Sequence, residues 1–87
     1  MASRARGIGK SIYSAQQNAF CDLLIAARKK AGLTQQEVAR RLKRPQSFVA
    51  KFEGGERRLD VVEFLAVAKA IEADPVQIIR KLVRLTG

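Results

Sequence analysis

Apolar residues recur at three- and four-residue spacing along most of the chain, which is the pattern of amphipathic helices. Five segments carry this pattern, and short stretches that contain glycine, proline or helix-capping residues separate them. The pattern therefore predicts an all-α fold, a compact domain of five helices over residues 14–87. Residues 1–13 are basic and carry no apolar periodicity, so we expect a flexible N-terminal arm there.

The first helix is expected to begin at Ser14, because Ser14 and Gln17 have the spacing of a capping box. Its apolar stripe runs to Ala31, and Gly32 is expected to end the helix. Three basic residues, Arg28 to Lys30, lie in its last turn, where they oppose the negative end of the helix dipole.

The second and third helices form one unit over residues 34–53. Thr34 and Glu37 have capping-box spacing, so a helix is predicted from Gln35 to about Leu42. A proline disfavours helical backbone in the residue before it, and this favours a break immediately before Pro45. The connection is only three residues long, so this stretch predicts a helix-turn-helix.

The turn and the ends of the third helix can also be assigned. Pro45 suits the first position of the helix, with Arg44 before it, because the missing N–H of a proline is not needed there. Gly54-Gly55 can supply the left-handed residue that ends the helix.

Steps of 100° per residue divide the third helix into two arcs. The arc predicted to pack holds Pro45, Phe48, Val49 and Phe52. The arc predicted to face solvent holds Gln46, Ser47, Ala50 and Lys51. An amide, a hydroxyl and an amine on one exposed arc are able to hydrogen-bond to base edges, so this arc suits DNA reading.

The last two helices begin at recognisable caps. Asp60 with Glu63 forms a further capping box, and Asp74 precedes Pro75 at the start of the fifth helix. The buried stripe of the fourth helix is predicted to be Phe64, Leu65, Ala68 and Ile71. The apolar positions of the fifth helix are Val76, Ile78, Ile79, Leu82, Val83 and Leu85. They cover nearly half its circumference, more than one small core needs, so part of that face is expected to be an interface.

Composition narrows the class of partner. The 87 residues carry a net charge of +9, which favours a polyanion, with nucleic acid the first candidate. No apolar run approaches the length of a membrane span and no signal peptide is recognisable, so we expect a cytoplasmic protein. Cys21 is the only cysteine and there is no histidine, so the sequence favours a core role for Cys21 and no metal site.

Three segments, AGLTQQEVARRL, RPQSFVAKFE and GGERRLDVVEFLAVAKAI, are similar to the Cro and phage-repressor (XRE) family of helix-turn-helix regulators. The resemblance extends from about Phe20 to Leu82. Lys43 stands where the family usually has the turn glycine, which implies a left-handed backbone at Lys43 at a cost of about 1 kcal/mol. The resemblance implies a lambda-repressor-like DNA-binding fold whose third helix enters the major groove. It further implies a transcriptional regulator, a repressor that binds a palindromic operator as a homodimer, with double-stranded DNA as its partner. The sequence has no histidine, no nucleophile beside a base and no glycine-rich phosphate loop, so we expect no enzymatic activity, and we expect no cofactor, membrane or small-molecule ligand.

The resemblance and the loop chemistry together assign candidate site residues. Base reading is assigned to Gln46, Ser47 and Lys51. Phosphate contact is assigned to Gln35, Arg44, Arg57 and Arg58. The dimer interface is assigned to Ile79, Leu82, Val83 and Leu85.

Several alternatives stay open at this stage. Phe48 is predicted to be core, although its place at the edge of the apolar arc also allows contact with a thymine methyl group. Arg28 to Lys30 either form a solvated basic terminus or contact phosphates, and the arm either enters the minor groove or adds only non-specific attraction. A restriction-modification controller protein, an antitoxin and a protein-interaction module without operator specificity remain alternative functions.

Overall fold

The computed structural model describes residues 11–86, which form five helices and no strand. The helices are α1 (Ser11–Lys30), α2 (Gln35–Leu42), α3 (Gln46–Glu53), α4 (Val61–Ala70) and α5 (Pro75–Thr86). The prediction of an all-α fold of five helices is confirmed. Helix α1 packs along α5, and α2 packs against both α3 and α4.

The predicted capping boxes at α2 and α4 are both present. The Thr34 hydroxyl accepts a hydrogen bond from the Glu37 N–H at 3.1 Å, and the Glu37 carboxylate accepts one from the Thr34 N–H at 2.8 Å. Asp60 and Glu63 make the same reciprocal pair at 2.7 Å and 2.9 Å. Because these bonds join residues only three apart, the sequence was sufficient to locate both helix starts.

Two predicted boundaries were wrong. Helix α1 includes Ser11 to Tyr13, so Ser14 lies inside the helix and not at its N-cap. Residues 11–13 are therefore helical, and the rest of the predicted arm, residues 1–10, lies outside the described residues. Helix α3 begins at Gln46, with extended Pro45 as its N-cap rather than as its first residue.

One core joins all five helices. Its largest fully buried side chains are Leu24, Val38, Val49, Val67 and Ile71. Cys21 is also buried, as predicted, and its thiol donates to the Phe52 carbonyl oxygen at 3.2 Å. Leu65 was wrongly assigned to this core, because its side chain is 49% exposed and Val67 faces inward instead.

Candidate nucleic-acid interface

The two faces of α3 are divided largely as the sequence predicted. Phe48, Val49 and Phe52 are buried in the core, which settles Phe48 as a packing residue. On the opposite arc, the exposed residues are Gln46, Ser47, Ala50 and Lys51. Pro45 is the exception, since it is exposed rather than packed. Packing on one side fixes the rotation of the helix and thereby fixes which side chains are presented.

The turn before α3 has the strained backbone that was expected. Lys43 adopts φ 58° and ψ 43°, the left-handed conformation. The Lys43 and Arg44 N–H groups donate to the carbonyl oxygens of Arg40 and Ala39 at 3.1 Å and 3.0 Å. These two bonds satisfy carbonyls at the end of α2 and turn the chain toward α3. At the other end of α3, Gly55 rather than Gly54 supplies the left-handed residue, with φ 82°.

A buried ion pair fixes the far end of α3 to α1. The Arg28 Nε donates to Glu53 Oε2 at 2.7 Å, and Arg28 Nη2 donates to Oε1 at 3.0 Å. The Arg28 and Glu53 side chains are only 12% and 4% exposed. Arg28 also donates to the Leu33 carbonyl oxygen at 2.9 Å. The solvated terminus considered for Arg28 is therefore wrong, and its guanidinium is bonded to Glu53 and Leu33 instead.

The same carboxylate orients two glutamines of the candidate site. Glu53 Oε1 accepts a hydrogen bond from Gln35 Nε2 at 2.9 Å. An ionised carboxylate only accepts, so the amide oxygen of Gln35 must point the other way. That oxygen faces Gln46 Nε2 at 3.4 Å, which leaves the Gln46 oxygen and its second N–H toward solvent. Sequence reasoning missed this arrangement, because Glu53 lies 18 residues from Gln35 along the chain.

The residues assigned to phosphate contact do not form one uniform set. Arg44 and Arg57 lie over the same Phe48 ring, with their guanidinium carbons 4.5 Å and 4.8 Å from its centroid. Gln35 is half-buried and makes hydrogen bonds with Glu53 and Gln46, whereas Arg58 is exposed. Arginine stacked on an aromatic ring keeps part of its N–H edge available to other acceptors. The Arg44–Phe48–Arg57 stack is called the arginine clamp below.

Glu63 closes the arginine clamp from α4. Its two oxygens accept from Arg57 Nη1 and Nη2 at 3.0 Å and 2.8 Å, and its Oε2 lies 3.9 Å from Arg44 Nη2. Arg57 Nη1 also donates to the Arg58 carbonyl oxygen at 2.9 Å. The capping-box spacing identified only one role for Glu63. The contact with Arg57 crosses a loop whose path the sequence pattern does not specify.

These contacts keep Glu63 and Arg57 ionised at neutral pH. Hydrogen bonds from Arg57, and then from the Asp60 N–H, lower the pKa of Glu63 to about 2. The bond to Glu63 in turn raises the pKa of Arg57. The clamp and Glu63 together therefore carry two guanidinium cations and one carboxylate anion, with a net charge of +1.

Three assigned residues have side chains with no partner within residues 11–86. Ser47, Lys51 and Arg58 are exposed, and their side-chain polar atoms make no hydrogen bond or ion pair in that part of the chain. Such groups lose no intramolecular bond when they meet an external acceptor. They are consequently available for contact with an external acceptor.

The residues assigned to the dimer interface lie on α5, a different helix from the reading helix α3. The Ile79, Val83 and Leu85 side chains are 41%, 62% and 65% exposed, and Leu82 is half-buried. A groove of about 290 Å³ continues from Ile79 and Leu82 to Val61 of α4. Exposed apolar side chains that lie together on one face of a small domain are consistent with an interaction site.

The described residues contain neither a metal site nor a membrane span. Residues 11–86 hold no cluster of three or more histidine, cysteine or acidic side chains able to bind a metal ion. None of the helices in that range combines the length and the apolar character needed to cross a bilayer.

Comparison with known proteins places this geometry in a family. Residues 19–78 match the model of a helix-turn-helix domain. The chain is also similar in structure to an XRE-family like protein from Pseudomonas syringae pv. tomato str. DC3000, with a TM-score of 0.84 and 48% sequence identity over 93% of this chain and 99% of that one. No curated protein matches at a significant level. The described helix-turn-helix and these two similarities together show that the chain belongs to the XRE-type family of DNA-binding helix-turn-helix regulators.

Proposed function

We propose that the protein is a sequence-specific transcriptional regulator, a cytoplasmic repressor that binds a palindromic operator as a homodimer. The observation that carries the proposal is the exposure of Gln46, Ser47 and Lys51 on one face of α3, whose opposite face is core. In this reading α3 enters the major groove, and α2 crosses the DNA backbone. Repression follows when the bound dimer covers sequence that polymerase needs.

Gln46 is the proposed reader of one base pair. Its free amide oxygen and N–H can bond the N6 amino group and N7 of adenine as a bidentate pair. The Gln35 contact limits the ways in which the amide can turn, and this favours one donor and acceptor arrangement toward the base. Lys51 and Ser47 supply further donors on the same arc.

The proposed phosphate contacts come from the arginine clamp, from Arg58 and from the start of α2. The clamp lies beside the first turn of α3, and Gln35 lies in the first turn of α2, where backbone N–H groups favour an anion. Contacts of this kind fix the register of the protein on the duplex, while base contacts supply sequence preference.

Selection of bound duplexes from a random pool tests the proposal directly. A regulator of this type should enrich one half-site, repeat it with two-fold symmetry and prefer it to scrambled DNA by roughly a thousandfold. Enrichment of no sequence, with binding lost equally on both duplexes as salt rises, would favour a protein-interaction module with only electrostatic DNA affinity.

Gln46→Ala is expected to weaken binding to the selected duplex by about 1 to 3 kcal/mol and to relax the preference at one base position. The change removes the bidentate pair and leaves the core face of α3 intact. Fluorescence anisotropy on the selected duplex and on single-base variants measures both effects. Gln77→Ala is the matched control, since Gln77 is an exposed glutamine on α5. Equal losses on selected and scrambled DNA would remove Gln46 from the base-reading set.

Arg57→Ala is expected to weaken binding to every sequence and to reduce the slope of log affinity against log salt by about one. The reason is the loss of one phosphate contact. Arg41→Ala is a matched control because Arg41 pairs with Glu72 at 2.8 Å, much as Arg57 pairs with Glu63, but does not belong to the clamp. A salt slope that does not change in Arg57→Ala contradicts the assignment.

A further inference from the structure

The arginine clamp already holds an anion from the protein itself. Glu63 accepts two parallel hydrogen bonds from Arg57, at 3.0 Å and 2.8 Å, and is further fixed by the Asp60 N–H at 2.9 Å. Its side chain is 20% exposed, less than that of Arg57 at 38% or Arg44 at 48%. The carboxylate therefore lies behind the two guanidiniums and is anchored to α4.

A carboxylate and a DNA phosphate use the same edge of a guanidinium. Both accept paired N–H bonds from arginine in a planar fork. Glu63 consequently occupies donors of Arg57 that a phosphate could otherwise take, and its negative charge opposes the approach of a phosphate to the clamp. The same two bonds also hold Arg57 in one orientation on Phe48.

We propose that Glu63 is a specificity-determining residue, an internal anion that positions Arg57 and competes with DNA phosphates for the arginine clamp. The inference rests on the proposed function and extends it to a residue that need not touch DNA. Attraction to the DNA backbone supplies essentially all of non-specific binding, so the competing charge reduces that binding directly. On the selected duplex, base contacts add affinity, and an Arg57 already held in place meets its phosphate in the correct register without reorientation.

Glu63→Gln separates this role from a purely structural one. Glutamine keeps the capping-box bond to Asp60 and one acceptor for Arg57, and it removes the charge. Affinity for the scrambled duplex is expected to rise about three- to tenfold, as expected for the loss of one nearby charge in a solvated site. Affinity for the selected duplex is expected to change by less than about twofold. The preference for the selected duplex should therefore fall.

Glu72→Gln is the matched control for net charge. Glu72 pairs with Arg41 at 2.8 Å and lies in the turn between α4 and α5, outside the clamp. This variant makes the same change in net charge as Glu63→Gln. Because the change lies away from the clamp, it should leave the preference for the selected duplex unchanged. If Glu72→Gln lowers that preference as much as Glu63→Gln does, net charge alone is responsible and the inference is overturned.

Glu63→Asp tests the positioning role and decides the matter if the glutamine variant does not fold. The shorter side chain keeps the charge but cannot maintain both bonds to Arg57 from the same backbone position. Affinity for the selected duplex should fall by about threefold or more, consistent with the loss of a charge-assisted hydrogen bond, while affinity for the scrambled duplex should not rise. A circular dichroism melt of each variant tests whether that variant is folded.

Failure of the inference and failure of the proposed function give different results. A wild-type chain that binds selected and scrambled duplexes equally removes the proposed function, and this inference with it. A wild-type chain that discriminates, together with a Glu63→Gln variant that gains equally on both duplexes or on neither, removes only the role of Glu63. An Asp variant that retains wild-type affinity for the selected duplex would remove the positioning role.

Discussion

Replacing Arg28 by Met is expected to lower the free energy of unfolding by about 3 to 5 kcal/mol. The Glu53 side chain is only 4% exposed, and it loses two of its three hydrogen bonds when the guanidinium is removed. The Leu33 carbonyl oxygen loses a donor as well. Since small domains have a total stability of roughly 5 to 15 kcal/mol, this one substitution should remove a large part of it. Urea denaturation followed by circular dichroism measures the loss.

Arg41→Met provides a closely matched control. Arg41 donates to the Ala70 carbonyl oxygen and to Glu72, both at 2.8 Å, so like Arg28 it joins one backbone carbonyl and one carboxylate. The Arg41 and Glu72 side chains are 43% and 60% exposed, and an exposed pair contributes about 0 to 1 kcal/mol. Equal losses in the two variants would show that burial does not determine the energetic role of Arg28.

The double variant Arg28→Met with Glu53→Leu tests the mechanism of the loss. When both charges are replaced by apolar side chains, no buried charge is left without a partner, and much of the stability should return. A double variant no more stable than Arg28→Met alone would mean that lost packing, rather than the unpaired carboxylate, explains the loss. The double variant should fold. Because Glu53 also orients Gln35, this variant should nevertheless show a smaller preference for the selected duplex over scrambled DNA.

Val83→Asp is expected to convert the proposed dimer into monomers and to reduce affinity for the selected palindrome by about a hundredfold or more. A dimer binds its second half-site as an intramolecular event, and this advantage of roughly a hundred- to ten-thousandfold disappears in a monomer. Val83 is a better probe than Leu82, because its side chain is 62% exposed whereas Leu82 is half-buried against the groove. The substitution should consequently leave the monomer fold intact.

Sedimentation equilibrium measures the oligomeric state of wild type and variant. Val62→Asp is the control, since Val62 is 76% exposed on α4 and lies outside the interface assigned to α5. The assignment of the interface predicts a dimer for wild type and for Val62→Asp, and a monomer for Val83→Asp. A monomeric wild type at micromolar concentration, or a Val83→Asp variant that remains dimeric, would contradict it.

The proposed interface and the proposed reading face lie on different helices, which is what a two-fold dimer on DNA requires. If α5 pairs two protomers, the α3 helices of the dimer are held at a fixed separation and can enter successive major grooves. The predictions for Gln46 and Val83 are therefore linked. Loss of dimerisation should lower affinity without altering which base each half-site prefers, whereas loss of Gln46 should alter the preference without altering the oligomeric state.

The sequence by itself determined the helices, most of their ends and the side of α3 that faces solvent. The two capping boxes join residues three apart, and the apolar arcs repeat with the helical period, so both depend on local geometry that the order of residues specifies. The left-handed backbone of Lys43 was predicted in a different way, from the family resemblance, in which a turn glycine usually stands at this position. The predictions that were wrong, a helix start at Ser14 and Pro45 as a first helical residue, both concern helix ends. There, several residues within one turn can each act as a cap.

Only the tertiary structure decided what the charged and amide side chains contact. Arg28 meets Glu53 across 25 residues, and Gln35 meets the same carboxylate across 18. A basic residue at a helix end has the same local signature whether it is solvated, binds phosphate or enters a buried pair, because long side chains find partners only after the helices pack. The role of Glu63 in the arginine clamp became visible for this reason, once folding had brought α4, the loop with Arg57 and the first turn of α3 together.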